Sequence, residues 1–162
     1  MTLQSIHIQY QSYEKGVELG KEQLNVLHQS IKAAEKAYAV YSEFRVGAAV
    51  ELENRSIVLG CNQENASYPC GLCAERVALF NVGINFHKQK IKRIAVSVLN
   101  ELPESMWPPS PCGACRQVMS EFEYNNLDPI EIILGHPNHR TFVFSSVLDL
   151  LPFSFHPKIL ML

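Results

Sequence analysis

The chain has no run approaching about 18 uninterrupted apolar residues, so no membrane-spanning helix and no membrane partner are expected. Its first twenty residues carry Glu14 and Lys15 and lack the apolar stretch of a secretion signal, which points to a cytoplasmic protein. It has no excess of positive charge either: 14 Lys and Arg stand against 16 Asp and Glu, a formal net charge of −2. Without an overall positive field there is nothing to hold a nucleic-acid backbone, and a small, roughly neutral substrate is the simpler expectation. Internal repeats, low-complexity tracts and Gly/Ser linkers are missing, so no domain boundary suggests itself. What is present, 162 residues with 47% apolar content, suits one domain around a single core.

Residues 1–16 are polar and weakly patterned. From about Val17 to Ala39 the apolar positions recur at mostly helical spacing among good helix formers, predicting a long first helix. Val46–Leu52 and Ser56–Cys61 read as two strands joined by a turn at Glu53, Asn54 and Arg55. A second helix is expected from Cys73 to Val82, with Gly83 as its terminator, and Ile91–Leu99 has the β-branched character of a buried strand. Pro103, Pro108, Pro109 and Pro111 make Glu101–Pro111 a loop. Gly113–Tyr124 then reads as a third helix, Ile130–Leu134 and Thr141–Phe144 as strands around a turn at 135–138, and Ser146–Leu151 as a short helix stopped by Pro152. This order of elements predicts an α/β layered domain with a mixed sheet flanked by helices. The six histidines, His136 and His139 included, have no motif context and read as surface or turn residues.

The five cysteines are at positions 61, 70, 73, 112 and 115, and four of them form two Cys-x-x-Cys pairs. In a cytoplasmic chain that pattern favours metal binding over disulfides. The odd count leaves one thiol over, and Cys61 is expected to be a small buried side chain.

The chemistry concentrates in Pro69-Cys70-Gly71-Leu72-Cys73-Ala74-Glu75-Arg76 and Ser110-Pro111-Cys112-Gly113-Ala114-Cys115-Arg116-Gln117, each of which opens an expected helix. Unpaired N–H groups at a helix start stabilise thiolates, the form a metal needs. Two ligand sets compete. If Cys70, Cys73, Cys112 and Cys115 all bind, the zinc is closed and structural; if three bind, a fourth position stays open to water and the metal is catalytic. Glu75 favours the second set, because a carboxylate two residues beyond a ligand at a helix start can point at that open position.

Cys73-Ala74-Glu75 followed by Pro111-Cys112-x-x-Cys115 resembles the zinc deaminase pattern, in which the Glu is not a ligand. Further segments narrow the resemblance to the small homotetrameric cytidine deaminases: Ala37–Ser42, Phe44–Ala49, Gly60–Tyr68 and Leu150-Leu151-Pro152. The likeness runs in order from about residue 22 to residue 156. It implies a three-layer α/β/α fold with a central sheet of about five strands, an N-terminal extension over 1–20 and a single catalytic domain over 21–162. It also implies hydrolytic deamination of free cytidine or deoxycytidine in pyrimidine salvage, with one zinc per subunit.

Carried over position by position, the resemblance makes Cys73, Cys112 and Cys115 the zinc ligands, leaves Cys70 out, and makes Glu75 the proton shuttle. Arg76 would hydrogen-bond the cysteine sulfurs and offset the −1 charge of three thiolates on Zn²⁺. Asn62 and Glu64 would hold ribose hydroxyls, the Ala74 N–H would meet the pyrimidine O2, and Phe44 would pack on the base. Ala66 and Tyr68, near the 5′-hydroxyl, and Phe155, over the base, would complete a neighbouring subunit's site, with Phe153 the alternative to Phe155. The chain departs from the family where Val40 replaces a usual proline, in a longer loop before Ser110 that carries Trp107, and over residues 1–20. Two other readings keep the cysteines but change the role: deamination of another cytosine nucleoside such as blasticidin S, and a non-catalytic zinc module closed by all four paired cysteines.

Overall fold

Val46–Leu52 (β2) is apolar at every position except Glu51 and almost wholly buried, which a strand achieves only at the centre of a sheet covered on both faces. The computed structural model, which describes residues 1–101, 103 and 107–161, places it there. Six strands run in the order β1-β6-β5-β4-β2-β3. They are β1 (Gln11–Tyr13), β2, β3 (Ile57–Cys61), β4 (Ile91–Val98), β5 (Glu131–His136) and β6 (His139–Phe144). Among the strands of the described residues only β4 and β5 pair in parallel, and α3 (Gly113–Asn126) is the crossover such a pair requires.

One face of the sheet carries α1 (Lys21–Ala34), whose Val26 and Leu27 pack with Leu19 on Ala49, Ala95, Ile133 and Val143. The other carries α2 (Ala74–Asn85) and α3, with Leu79 and Met119 against Ala48, Val50, Val96, Ile132 and Leu134. The result is the expected three-layer α/β/α arrangement. Complete burial of Ile94, Ile132 and Ile133 contributes about 1.5–3 kcal/mol each. Two glycines set how closely the helices approach: a Cβ at Gly47 would lie 1.9 Å from the Ser30 carbonyl oxygen of α1, and one at Gly60 would lie 2.4 Å from the Ala78 nitrogen of α2. Gly60 thereby seats the start of α2 beside the end of β3.

The sheet has six strands rather than about five. The extra one, β1, comes from the polar N-terminal segment; as an edge strand it pairs only with β6, through backbone groups that leave no apolar alternation to read. Tyr10 just before it stacks on Phe144, ring centroids 5.3 Å apart. The first helix is shorter than its periodicity predicts because tertiary backbone partners capture both ends: the Val17 N–H bonds the Pro137 carbonyl at 2.9 Å and the Tyr38 N–H bonds the Asn62 carbonyl at 3.0 Å. Gly83 does not end α2, which runs on to Asn85 while Gly83 lies under Phe122 of α3. The β5–β6 hairpin is tighter than expected, turning at Pro137 and Asn138. Residues Leu102 and Glu104–Met106 of the expected loop, and Leu162 at the end of the expected catalytic domain, lie outside the described residues. Among the described residues no helix is long and apolar enough to cross a membrane.

Candidate metal centre and active site

Cys73 is the N-cap of α2 and Cys112 the N-cap of α3, and neither helix start has a side-chain cap of the usual kind. Free N–H groups of both helices therefore face the thiols. The Cys73 and Cys112 sulfurs are 3.9 Å apart, those of Cys112 and Cys115 are 3.5 Å apart, and all three lie within 4.8 Å of one another. Tetrahedral zinc with bonds of about 2.3 Å sets its sulfurs about 3.8 Å apart, so the donor set and its spacing fit zinc. Cys70 is outside this cluster. It ends a separate 3₁₀ turn, Tyr68–Cys70, and is exposed.

The electrostatics agree. Hydrogen bonding from Cys115, and after it from Arg76, pulls the Cys73 thiol down to about 5. Cys115, fully buried, is pushed up because it shares its proton with Cys73 and is desolvated. Arg76 Nη2 lies 3.8 Å from Cys73 Sγ and 3.4 Å from the Gly71 carbonyl oxygen, while its buried Nε has no partner. Glu75 is 3% exposed, and burial pushes its carboxyl up.

A cavity of about 670 Å³ opens over this cluster, lined among others by Phe44, Asn62, Glu64, Tyr68, Cys73, Glu75, Arg76 and Cys112. Ala74 is buried at the first position of α2, below the lining. Ala66 and Phe155 are exposed and do not line the cavity. Phe155 is held by its backbone, with Gln117 Nε2 donating to its carbonyl at 2.8 Å and its N–H donating to Gln117 Oε1 at 3.1 Å; Phe153 is more exposed still. Cys61 is half-exposed rather than buried, because it closes the edge strand β3, where its thiol faces the Lys36 carbonyl at 3.3 Å. A second cavity, of about 460 Å³, lies between the β5–β6 hairpin, Glu14 and Trp107, and includes none of the cysteines.

Glu64 is braced rather than free. It accepts from the Ser42 hydroxyl and from the Tyr41 N–H at 2.8 Å, and these, Ser42 first and Tyr41 after it, hold its carboxyl below the usual range. Ser42 also accepts the Phe44 N–H at 3.0 Å. The sequence offered no sign of this role: a serine in a loop is ordinary, and only the fold brings residue 64 to it.

An acid beside clustered thiols, at the floor of a cavity and between two helix starts, is the chemistry of a zinc-dependent hydrolase. A family model described as the cytidine and deoxycytidylate deaminase zinc-binding region matches residues 21–127, and the chain belongs to that family. The cytidine deaminase of Sporosarcina psychrophila is 43% identical over 97 residues, 60% of this chain and 67% of the relative. That of Halalkalibacterium halodurans is 42% identical over 96 residues, 59% and 68% of the two chains. Among solved structures, cytidine deaminase from Burkholderia pseudomallei superposes with a TM-score of 0.67 at 38% identity, covering 81% of this chain and 97% of that one. The Mycobacterium tuberculosis enzyme gives 0.58 at 31% identity, covering 82% and 95%.

Proposed function

We propose that this chain deaminates free cytidine and deoxycytidine by hydrolysis, yielding the uridine nucleoside and ammonia. The observation that carries this reading is the buried Glu75 carboxyl beside three sulfurs in metal-binding range, at the floor of a cavity that also holds Asn62 and Glu64. Cys73, Cys112 and Cys115 would hold the zinc, which when bound would supply the Lewis acidity that activates water near neutral pH.

Glu75 takes a proton from the attacking water and delivers it to N3 of the cytosine as the C4–O bond forms; it then carries the proton of the new C4 hydroxyl to the amino group, which leaves as ammonia as the C4–N4 bond breaks. Its low exposure suits a carboxyl that must hold a proton between the two transfers. Arg76, touching Cys73, offsets the negative charge of the thiolates. Asn62 and Glu64 receive the ribose hydroxyls, Phe44 packs on the base, and the Ala74 N–H, free at the helix start, meets the pyrimidine O2. Ala66, Tyr68 and Phe155 serve a neighbouring subunit's site in a homotetramer; the exposure of Tyr68 at 76% and Phe155 at 56% supports this. Residues 1–20 form an extension to the catalytic domain over 21–162, and the enzyme works in the cytoplasm in pyrimidine salvage.

An ultraviolet assay of the zinc-loaded protein with cytidine, deoxycytidine and cytosine tests the reading. Turnover of the nucleosides is expected, and none on any of the three sinks it. Replacing Cys70 by Ser should leave one zinc per subunit; loss of the metal would revive the closed four-cysteine arrangement.

A further inference from the structure

The chain that carries Phe44 into the cavity enters the sheet just ahead of β2, beyond the ends of both of β2's neighbours. Its peptide groups turn alternately to the two sides, and on each side an asparagine side chain meets them. Asn62, directly after β3, donates Nδ2–H to the Phe44 carbonyl at 2.9 Å and accepts the Val46 N–H at 2.8 Å. Asn100, two residues after β4, donates to the Glu43 carbonyl at 2.9 Å and accepts the Arg45 N–H at 2.8 Å. A side-chain amide offers a donor and an acceptor much as a peptide group does, so each asparagine continues the sheet where the backbone ladder stops. The bracing is needed because Glu43 has φ 56°, a left-handed conformation that a non-glycine residue keeps only when its surroundings impose it.

We propose that Asn100 is a positioning residue for the nucleoside: by fixing the Glu43–Arg45 backbone it sets the Phe44 ring against the pyrimidine. This rests on the cytidine reading above. Asn100 does not line the catalytic cavity and acts only through Phe44. Asn62 cannot do this alone, because its bonds begin at the Phe44 carbonyl; the Glu43 N–H is held by the Ala39 carbonyl at 3.0 Å, but the Glu43 carbonyl and the Arg45 N–H, on either side of Phe44, are held by Asn100.

The test compares steady-state kinetics of the zinc-loaded parent with Asn100→Ala and Asn100→Asp. Asp keeps the acceptor for Arg45 but replaces the donor to Glu43 with a second acceptor. Both variants should raise KM for cytidine about tenfold, with kcat changed less than about threefold and zinc content unchanged, as expected when binding geometry rather than chemistry is lost. A KM within twofold of the parent in either folded variant overturns the proposal, as does a fall in kcat alone. Hydrogen exchange provides a measurement that needs no turnover and no variant: in the parent, the Arg45 amide should be as protected as that of Val46. A fast-exchanging Arg45 amide overturns the proposal even if both variants fail to fold. No turnover by the parent, with Arg45 protected, overturns the cytidine reading instead and leaves the amide brace standing.

Discussion

Glu75 and Glu51 are almost equally hidden, 3% and 4% exposed, yet they lie in opposite surroundings. Glu51, on the α1 side of the sheet, faces Arg93, whose Nε is 3.3 Å from Glu51 Oε2 and 3.0 Å from Glu131 Oε1. These are ion pairs by distance that lack hydrogen-bond alignment. Glu123, 8% exposed, is held by hydrogen bonds instead, accepting from the Ile130 N–H at 2.8 Å, the Val147 N–H at 2.9 Å and the Ser146 hydroxyl at 2.7 Å. Glu75, on the α2 side, has thiols for neighbours and a cavity before it. A buried carboxylate that faces a protein cation or a set of protein donors holds the fold; one that faces thiols and a cavity is available to move protons.

Replacing Glu75 by Gln should separate the two kinds of carboxylate most sharply. Deaminase kcat/KM should fall at least about 10³-fold, about 4 kcal/mol of transition-state stabilisation, while zinc content and melting temperature hold. A parallel loss of stability would place Glu75 with the structural pair. Arg93→Met should leave the buried Glu51 only the half-exposed Arg55, 3.3 Å away, as countercharge and destabilise the fold by about 3 kcal/mol in urea titration, whereas Arg93→Met with Glu51→Leu should recover most of it. If the double variant is no better than the single one, the charge pairing is not what matters on that face. Glu123→Ala strands two buried N–H groups at positions fully shielded from solvent, with an expected cost of about 2–4 kcal/mol and kcat retained in the folded fraction.

The smallest effect belongs to the exposed rim of the α1 face. Glu22 is held down to about 2, first by Arg55 and then by Lys92, at 2.7 Å and 3.0 Å. Because the fold prefers the ionised form, this contribution is in force above about pH 4.5, the group's ordinary value, and fades as pH falls toward 2. Melting curves of Lys92→Ala and the parent should therefore converge at low pH and at high salt; a gap that persists at both would assign Lys92 another role.

The thiol centre was legible because its spacing is local: Cys73, Glu75 and Arg76 share one helix start, and Cys112 and Cys115 share another. The choice between Cys70 and Cys73 was not legible from spacing alone, since a Cys-x-x-Cys pair spans a turn as readily as a helix cap, and only the 3₁₀ turn at Tyr68–Cys70 separates them. The brace on Phe44 left no trace, because an asparagine gripping backbone 55 residues away looks like any polar residue after a strand.

The order of strands and helices, the burial of β2 and β4, and the presence of cysteine pairs at two helix starts follow from the sequence by itself, because periodicity and capping act over a few residues. Which carboxylate faces the cavity, which backbone groups hold Phe44, and where β1 finds its partner were decided by the tertiary structure alone. Those outcomes depend on groups far apart in the chain, and burial sets their energies only once the layers have closed around them.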